Sequence, residues 1–570
     1  MLLCVLLSAC VRAGDGTVLQ VPKDIVETPL LFGSRITDVN RPHGKVFAAG
    51  QRNPHPRLVQ FVLRDSCLVL EPEGPQRRKG RGFQPVAFRI LEETADSYRI
   101  DLLPYFSTYP EEISAVPPKM LDGTATEFSI LGTHSGSDHL QVCGRYCYAD
   151  GLELTACCYL LPLKRTPIEP RRPDPRKVGY TRIEGHRSEN LPALRWDLSG
   201  GRKLRFYVDR TFPGEWFPYI KEGIEDWNKA FEAIGMGDVL EVLPEPADGS
   251  LDCGSPLVNM VRYLDVEESN AKGDVLYDPR SGEILQADIL WWKNVLELIC
   301  NWRYVQTGAA DPAARAEEYP IEILGPMIRH AVCHEMGHAL GLSHNMGASW
   351  AYPTDSLRSV SFTQKYGTAA SVMDYARYNH LATATDVAAG VGLLPPRLGP
   401  YDYYAIALGY GSGEPEAGEY CYFAPFISAA ISPDPSAQAE TLGNDLLRSS
   451  AAGLDNCRAL LELDGLTSER IILLRNQYYH YIWLSLSNIG GAVAGVPVTQ
   501  ELCDETVAFV LSALASVPET LYDKGKEKRI LGELDGNFLP ERVEKTMGAK
   551  GLKHYRKQLT NNNFYAENNH

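Results

Sequence analysis

The run from His334 to His344 reads His-Glu-Met-Gly-His-Ala-Leu-Gly-Leu-Ser-His, which is the pattern HExxHxxGxxH. In a helix, residues four apart lie one above the other, so His334 and His338 can present two imidazoles to a single metal ion. Glu335 is too far round the helix to be a good third ligand, but it is well placed to take a proton from a water molecule on the metal. The spacing therefore predicts the site of a zinc hydrolase.

The third ligand is predicted to be His344 rather than His330. His330 lies one turn before His334, but at about 1.5 Å rise per residue it is roughly 12 Å from His338 along the helix axis. Zinc holds imidazole nitrogens at about 2.0 to 2.1 Å, which excludes so distant a pair. Gly341 can adopt the left-handed conformation that ends a helix and turns the chain back towards the metal. The alternative, a buried histidine cluster without a metal, would leave three imidazoles with poor partners.

A second landmark follows the histidine motif. Residues 371–375 read Ser-Val-Met-Asp-Tyr and, together with the extended motif, resemble the metzincin superfamily, in which a tight turn places a methionine beneath the metal. The resemblance implies this position for Met373, which on its own would be an ordinary core methionine. It also implies that Tyr375 ligates zinc or stabilises the oxyanion of the tetrahedral intermediate, the alternative being a tyrosine packed in the turn. Asn345 departs from the residues that follow the third histidine in the familiar metzincin families.

Further segments resemble one bacterial family, the secreted zinc-dependent metalloproteases that carry β-rich domains of unknown function ahead of a metzincin domain. The segments are residues 174–180, 345–349, 352–358 and 399–406. The resemblance extends more weakly from about Val18 to the C-terminal helices, and members of the family usually have more chain upstream. It implies endopeptidase activity.

The elements before the motif read as strand, helix and strand. Residues 204–208 and 258–264 have the composition of strands, and residues 222–234 have apolar residues at helical spacing. Residues 284–289 form a further strand. In metzincins an edge strand pairs with extended substrate, and 284–289 is predicted either to be that edge or to be an ordinary internal strand.

The predicted fold class is α+β: a metzincin-like zinc protease domain with a mixed twisted sheet, an active-site helix and a Met-turn, flanked by two further regions. Short alternating runs separated by Gly, Pro, Asn and Asp predict a β-rich N-terminal domain. A segment rich in Pro and Arg predicts a linker, and the last part of the chain is mainly helical in pattern. The predicted boundaries are 1–17 for a signal or truncated start, 18–162 for the β-rich domain, 163–199 for the junction, 200–413 for the catalytic domain and 414–570 for the helical region.

Charge and hydropathy restrict the partners. The net charge of −16 over 570 residues, with no dense basic stretch beyond short runs such as 77–81, argues against nucleic acid. Residues 2–10 are apolar and fit either a signal sequence with a lipobox, which would place a lipid anchor on Cys10, or a strand cut by a misplaced start codon. No other stretch approaches the length of a membrane helix. An extracytoplasmic location is expected, and the oligomeric state is left open.

The chain has thirteen cysteines, so complete internal pairing is impossible. Four of them lie in the β-rich region, namely Cys143, Cys147, Cys157 and Cys158. If the protein is exported they are predicted to form one or two disulfides, and no second motif accompanies them to suggest a metal.

The predicted function is hydrolysis of peptide bonds in a protein or peptide substrate with one catalytic Zn²⁺. The metal lowers the pKa of its water to about 7, and Glu335 accepts the proton and passes it to the leaving amine. Two alternatives are a zinc hydrolase of amide or ester bonds outside proteins, and a silent zinc-containing scaffold for binding. The intact Glu335 argues against the scaffold.

Overall fold

The computed structural model describes residues 10–11, 17–40, 50–52, 57–73, 85–102, 125–183, 191–265, 269–375, 378–394, 398–424, 442–486, 488, 499–535 and 553. The predicted signal segment lies outside the described residues except for the backbone of Cys10–Val11, and the basic run at 77–81 lies outside them altogether. Within the described residues, no helix is both long and apolar enough to cross a membrane.

The N-terminal region is a ten-stranded sheet in the order β1-β8-β9-β10-β3-β4-β5-β6-β7-β2. Along most of these strands buried and exposed residues alternate, as in a sheet with one face on a core. The β-rich prediction is therefore confirmed. The strands are β1 Cys10–Val11, β2 Val18–Pro22, β3 Leu30–Val39, β4 Arg57–Arg64, β5 Cys67–Pro72, β6 Val86–Glu93, β7 Ser97–Asp101, β8 Glu127–Ser135, β9 Leu140–Cys147 and β10 Glu153–Pro162.

One disulfide joins the second and third of the strands that follow residue 125. Cys143 on β9 lies directly opposite Cys157 on β10, and the two are bonded. Cys147 and Cys158 are not part of a disulfide. Of the four clustered cysteines, one pair is thus linked.

The second sheet has six strands in the order β11-β16-β14-β12-β13, with β15 paired to β16. All these neighbours are parallel except β15, which is antiparallel. The strands are β11 Arg195–Trp196, β12 Leu204–Val208, β13 Leu240–Pro244, β14 Asn259–Leu264, β15 Ala271–Tyr277 and β16 Glu283–Trp292. The junction before residue 199 therefore supplies a short strand, β11, to this sheet.

The sheet order decides between the two alternatives predicted for residues 284–289. Residues 284–289 lie within β16, which pairs with β14 and with β15, so they form an internal strand and not the substrate edge. β16 is buried along nearly its whole length, as expected of a strand covered on both faces. Within the described residues β11, β13 and β15 each have a single strand partner, and β15 borders β16 along the edge away from β14.

Helices pack on this sheet and follow it. They are α1 Phe217–Glu225, α2 Asn228–Ala233, α3 Val295–Thr307, α4 Ile321–Ala339, α5 Val360–Tyr366, α6 Ala384–Ala389, α7 Pro400–Tyr410, α8 Leu446–Leu461, α9 Ser468–Ser485, α10 Gln500–Ala515 and α11 Lys524–Asp535. The single helix predicted over 222–234 is in fact two, α1 and α2, with a break at Asp226 and Trp227. The C-terminal helices share a core with the end of α3. This mixed layout of sheets and helices is consistent with the α+β prediction.

Candidate metal centre

Helix α4 positions the first part of the site. Its residues Ile328, Val332 and Met336 are buried in the core beneath the six-stranded sheet. The Nε1–H group of Trp227 donates to the carbonyl of Cys333 at 2.9 Å, which ties α4 to the break between α1 and α2. The opposite side of the helix presents the motif histidines to a cavity.

Gly341 ends this helix in the manner expected from the sequence. Its φ is +92°, a left-handed conformation that side chains disfavour. A Cβ at Gly341 would also collide with the carbonyl oxygen of Leu194. The chain therefore turns here against the residue before β11, and the turn brings His344 back towards the helix.

The structure brings the three predicted ligands together. His334, His338 and His344 have ligand atoms that all lie within 4.8 Å of one another, and the Nε2 atoms of His338 and His344 are 3.1 Å apart. His330 lines the same cavity but does not belong to this group.

Two of these imidazoles are oriented by backbone carbonyls. The Nδ1 atom of His334 lies 2.7 Å from the carbonyl oxygen of Val372, and Nδ1 of His338 lies 2.9 Å from that of Leu342. A carbonyl only accepts, so Nδ1 carries the proton and Nε2 keeps its lone pair for a metal. Burial lowers the pKa of both imidazoles, which favours the neutral form that ligates metals. The donor set thus fits zinc, with a position left for water.

Glu335 is buried beside the histidines, and β15 holds its carboxylate. The backbone N–H of Gly273 donates to Oε2 of Glu335 at 2.7 Å. A Cβ at Gly273 would clash with the carbonyl oxygen of Glu335 and lie 2.7 Å from Cβ of His338. The sequence analysis missed Gly273, whose only signal is a glycine inside a strand.

Met373, which the resemblance places beneath the metal, packs against Gly337 of helix α4. It is fully buried, and a Cβ on Gly337 would collide with its sulfur atom, so the glycine inside the motif makes room for the methionine. Tyr375 lies on the other side of the group, with its ring centroid 4.5 Å from that of His344. The position of Tyr375 is compatible with a role near the metal.

Asn345 and Asp402, neither of them predicted as site residues, hold the Met-turn. The N–H of Asn345 donates to the carbonyl of Met373 at 2.9 Å, which links the third histidine to the turn. Asp402 on α7 accepts from the Ser371 hydroxyl at 2.6 Å and from the Val372 N–H at 2.9 Å. Burial raises the pKa of Asp402 to about 7, although these hydrogen bonds oppose the shift. The only sequence signal for Asp402 is its place in the family-like segment 399–406.

The cavity over the metal centre has a volume of about 410 Å³. One side carries the histidines, Glu335 and Tyr375, and Lys272 of β15 lies at its border. The remaining wall is largely apolar and comes from α3 and α4; it includes Val295, Leu298, Ile299, Trp302 and Met327.

A second group of possible ligands lies in the β-rich region, at the β8–β9 hairpin. His134, Asp138 and His139 have ligand atoms within 4.8 Å of one another. The two imidazoles are stacked, with centroids 4.3 Å apart and 20° between their planes. The rings of the motif histidines His338 and His344 instead meet at 86°. The motif cluster is therefore the better metal centre.

Comparison with known proteins agrees with this geometry. Residues 316–530 match a family model described as Met-zincin. The match covers α4, the Met-turn and most of the C-terminal helices, and begins after the six-stranded sheet. No curated protein and no solved structure is significantly similar to the chain. The three-histidine cluster and the family match together point to zinc binding. The match supports a metzincin-type metalloprotease domain that includes residues 316–530.

Proposed function

We propose that the protein is a zinc-dependent endopeptidase. The observation that carries the proposal is the convergence of His334, His338 and His344 beside the buried carboxylate of Glu335, at the wall of an open cavity. A zinc ion held by these imidazoles would supply Lewis acidity and lower the pKa of a coordinated water to about 7.

The residues around the metal centre then have separate roles in the reaction. Glu335 accepts the proton of the attacking water and delivers it to the leaving amine, since it lies next to the metal ligands on the cavity wall. The N–H of Gly273 keeps one carboxylate oxygen in place. Tyr375, adjacent to His344, donates a hydrogen bond to the oxygen that gains charge as the peptide carbonyl is attacked.

Strand β15 is the proposed site of substrate pairing. It borders the cavity through Ala271 and Lys272, next to Asn270, and within the described residues its outer edge has no strand partner. An extended peptide adding to such an edge gains backbone hydrogen bonds without a demand on its sequence. The apolar wall from α3 and α4 favours substrates with a large apolar side chain near the scissile bond.

A peptide-library digest tests the proposal. The zinc-loaded protein is expected to cut the library, a chelator is expected to stop the cutting, and added Zn²⁺ is expected to restore it. Glu335→Gln is the matched variant, because it keeps the size of the side chain but cannot take a proton. It is expected to bind zinc as the parent does and to lose turnover by at least about 10²-fold.

Two results would contradict the proposal. A library left whole by the zinc-loaded parent would favour a hydrolase of other amide or ester bonds, or a binding scaffold. Cutting at the parental rate by Glu335→Gln would remove the assigned role of Glu335.

A further inference from the structure

The two faces of β15 lead to different parts of the molecule. Side chains alternate along a strand, so neighbouring residues point to opposite faces of the sheet. Gly273 faces α4, where its N–H holds Glu335. Asp274 faces away from α4, towards the N-terminal β-rich region, where Arg52 meets it.

Asp274 also faces a second carboxylate. In the β15–β16 ladder it lies directly opposite Asp288, which is fully buried. Like charges opposite one another destabilise a strand pair. Arg52 contacts both of them: Nε is 3.4 Å from Oδ2 of Asp274, and Nη2 is 3.1 Å from Oδ2 of Asp288. Lys272 also pairs with Asp274, but its side chain is exposed and solvent screens the pair.

Two further arginines hold Asp288 without touching Asp274. Arg35 of β3 lies 3.0 Å from Oδ2 of Asp288, and Arg262 of β14 lies 3.2 Å from the same atom. Asp288 would therefore stay paired without Arg52. Asp274 would keep only its exposed lysine, and would still lie opposite a buried carboxylate.

The backbone around Arg52 fixes the position of its side chain relative to the six-stranded sheet. Residues 50–52 run beside β3, with the Gly50 N–H donating to the Ile36 carbonyl at 2.7 Å. Gly50 has a φ of +95°, and a Cβ there would lie 2.6 Å from Cδ of Arg262. The segment is thus fitted closely against the six-stranded sheet, and its arginine is buried.

We propose that Arg52, although it belongs to the N-terminal β-rich region, is a positioning residue for Glu335. It holds Asp274, and thereby keeps β15 paired in the register at which the Gly273 N–H meets the Glu335 carboxylate. The β-rich region is then part of the scaffold of the catalytic centre. This inference rests on the proposed peptidase function only for its effect on turnover, because the placement of β15 is measurable without activity.

Arg52→Gln and Arg35→Gln form a matched pair of full-length variants. Each removes one buried arginine that pairs with Asp288, but only Arg52 contacts β15. In Arg52→Gln, hydrogen exchange of the amides of residues 271–277 is expected to rise by about ten-fold or more, with bound zinc unchanged. kcat is expected to fall by about ten-fold to a hundred-fold, as for a small displacement of a reacting group. In Arg35→Gln both quantities are expected to stay within about two-fold of the parent at temperatures where the protein is folded.

A second substitution separates positioning from general loss of structure. Asp274→Asn removes the charge that faces Asp288, so Arg52→Gln/Asp274→Asn is expected to regain most of the amide protection and of kcat. Equal exchange of 271–277 in Arg52→Gln and Arg35→Gln, or no recovery in the double variant, would overturn the proposal. If the parent cuts no peptide, the proposed function fails, and the exchange data still decide whether Arg52 places β15.

Discussion

Asp402 orders the residues around the metal centre without being one of its ligands. It receives hydrogen bonds from Ser371, Val372 and Gly399, and the Val372 carbonyl in turn orients His334. These three hydrogen bonds favour the ionised carboxylate, whereas burial favours the neutral acid. Burial outweighs them, since the pKa of Asp402 is raised to about 7.

Asp402→Asn therefore tests the protonation state. Because the folded pKa of Asp402 lies above its ordinary value of 3.8, its contribution to stability is fully present below about pH 4 and is lost as the pH rises through about 7. An asparagine has nearly the same shape but does not titrate. The difference between the unfolding free energies of parent and variant, measured with denaturant, is expected to shift in favour of the variant from pH 5 to pH 8. A constant difference would contradict the assignment.

Asp402→Ala is the companion variant. It leaves the N–H groups of Val372 and Gly399 buried without an acceptor, at a cost of about 1–3 kcal/mol each. It is expected to be less stable than Asp402→Asn at every pH.

The assignment of His344, and not His330, as the third zinc ligand can be tested. His344→Ala is expected to lower zinc affinity by at least about 10²-fold, since it removes one of three ligands. His330→Ala changes a histidine of the same cavity that lies outside the cluster, and is expected to keep one zinc per chain. The amount of zinc retained after dialysis against a series of chelators measures the zinc affinity of both variants. Equal loss in the two variants would mean that His330 also ligates.

Strand β15 and helix α4 approach each other so closely that only glycine fits between them. Gly273→Ala places a Cβ against the Glu335 carbonyl and His338, so β15 must move away from the helix. We expect a loss of stability of about 1–3 kcal/mol and a larger relative loss of turnover. Gly132→Ala in β8 is the control, because the added Cβ has no atom within 4 Å. Peptide cleavage and thermal unfolding of the two variants distinguish them, and equal activity would contradict the argument.

The same two elements show what the sequence can and cannot predict. The spacing of His334, His338, Gly341 and His344 is local, so helical geometry alone leads to a cluster that the structure contains. The bounds of β12 follow from local alternation in the same way. The order of strands is set by distant contacts, and β15, with a glycine and charged residues, has a weak pattern. The sequence therefore offers only residues 284–289 as a candidate edge and does not decide whether they are internal.

The break between α1 and α2 coincides with contacts to α4. Asp226, at the break, accepts two hydrogen bonds from Arg329 of α4, each 2.7 Å long, and Trp227 donates to Cys333. Both residues keep right-handed helical backbone angles, and the interruption is local: the Trp227 N–H donates to the Ile224 carbonyl, three residues back, at 3.4 Å. Apolar periodicity over 222–234 contains no information about these contacts.

At the scale of the whole molecule, the β-rich region and the six-stranded sheet share a buried boundary. It consists of the arginine–aspartate group around Asp288 and of an apolar cluster beside it. The apolar cluster contains Leu31, Tyr159, Leu161 and Leu163 from the N-terminal side, and Leu276 and Leu285 from β15 and β16. Separation of the two sheets would expose both, so the regions are expected to unfold together.

The distribution of tryptophan makes this expectation measurable. The chain has 8 tryptophans, and none lies before Trp196, so their fluorescence reports only on the part that follows the β-rich region. Leu68 is fully buried inside the N-terminal sheet and belongs to its core, not to the shared boundary. Leu68→Ala leaves a cavity that costs about 2–5 kcal/mol. If the two regions unfold as one unit, this distant cavity must lower the denaturant midpoint seen by tryptophan. If they unfold separately, the midpoint stays at the parental value while circular dichroism shows an earlier transition, and the coupling inferred from the boundary is refuted.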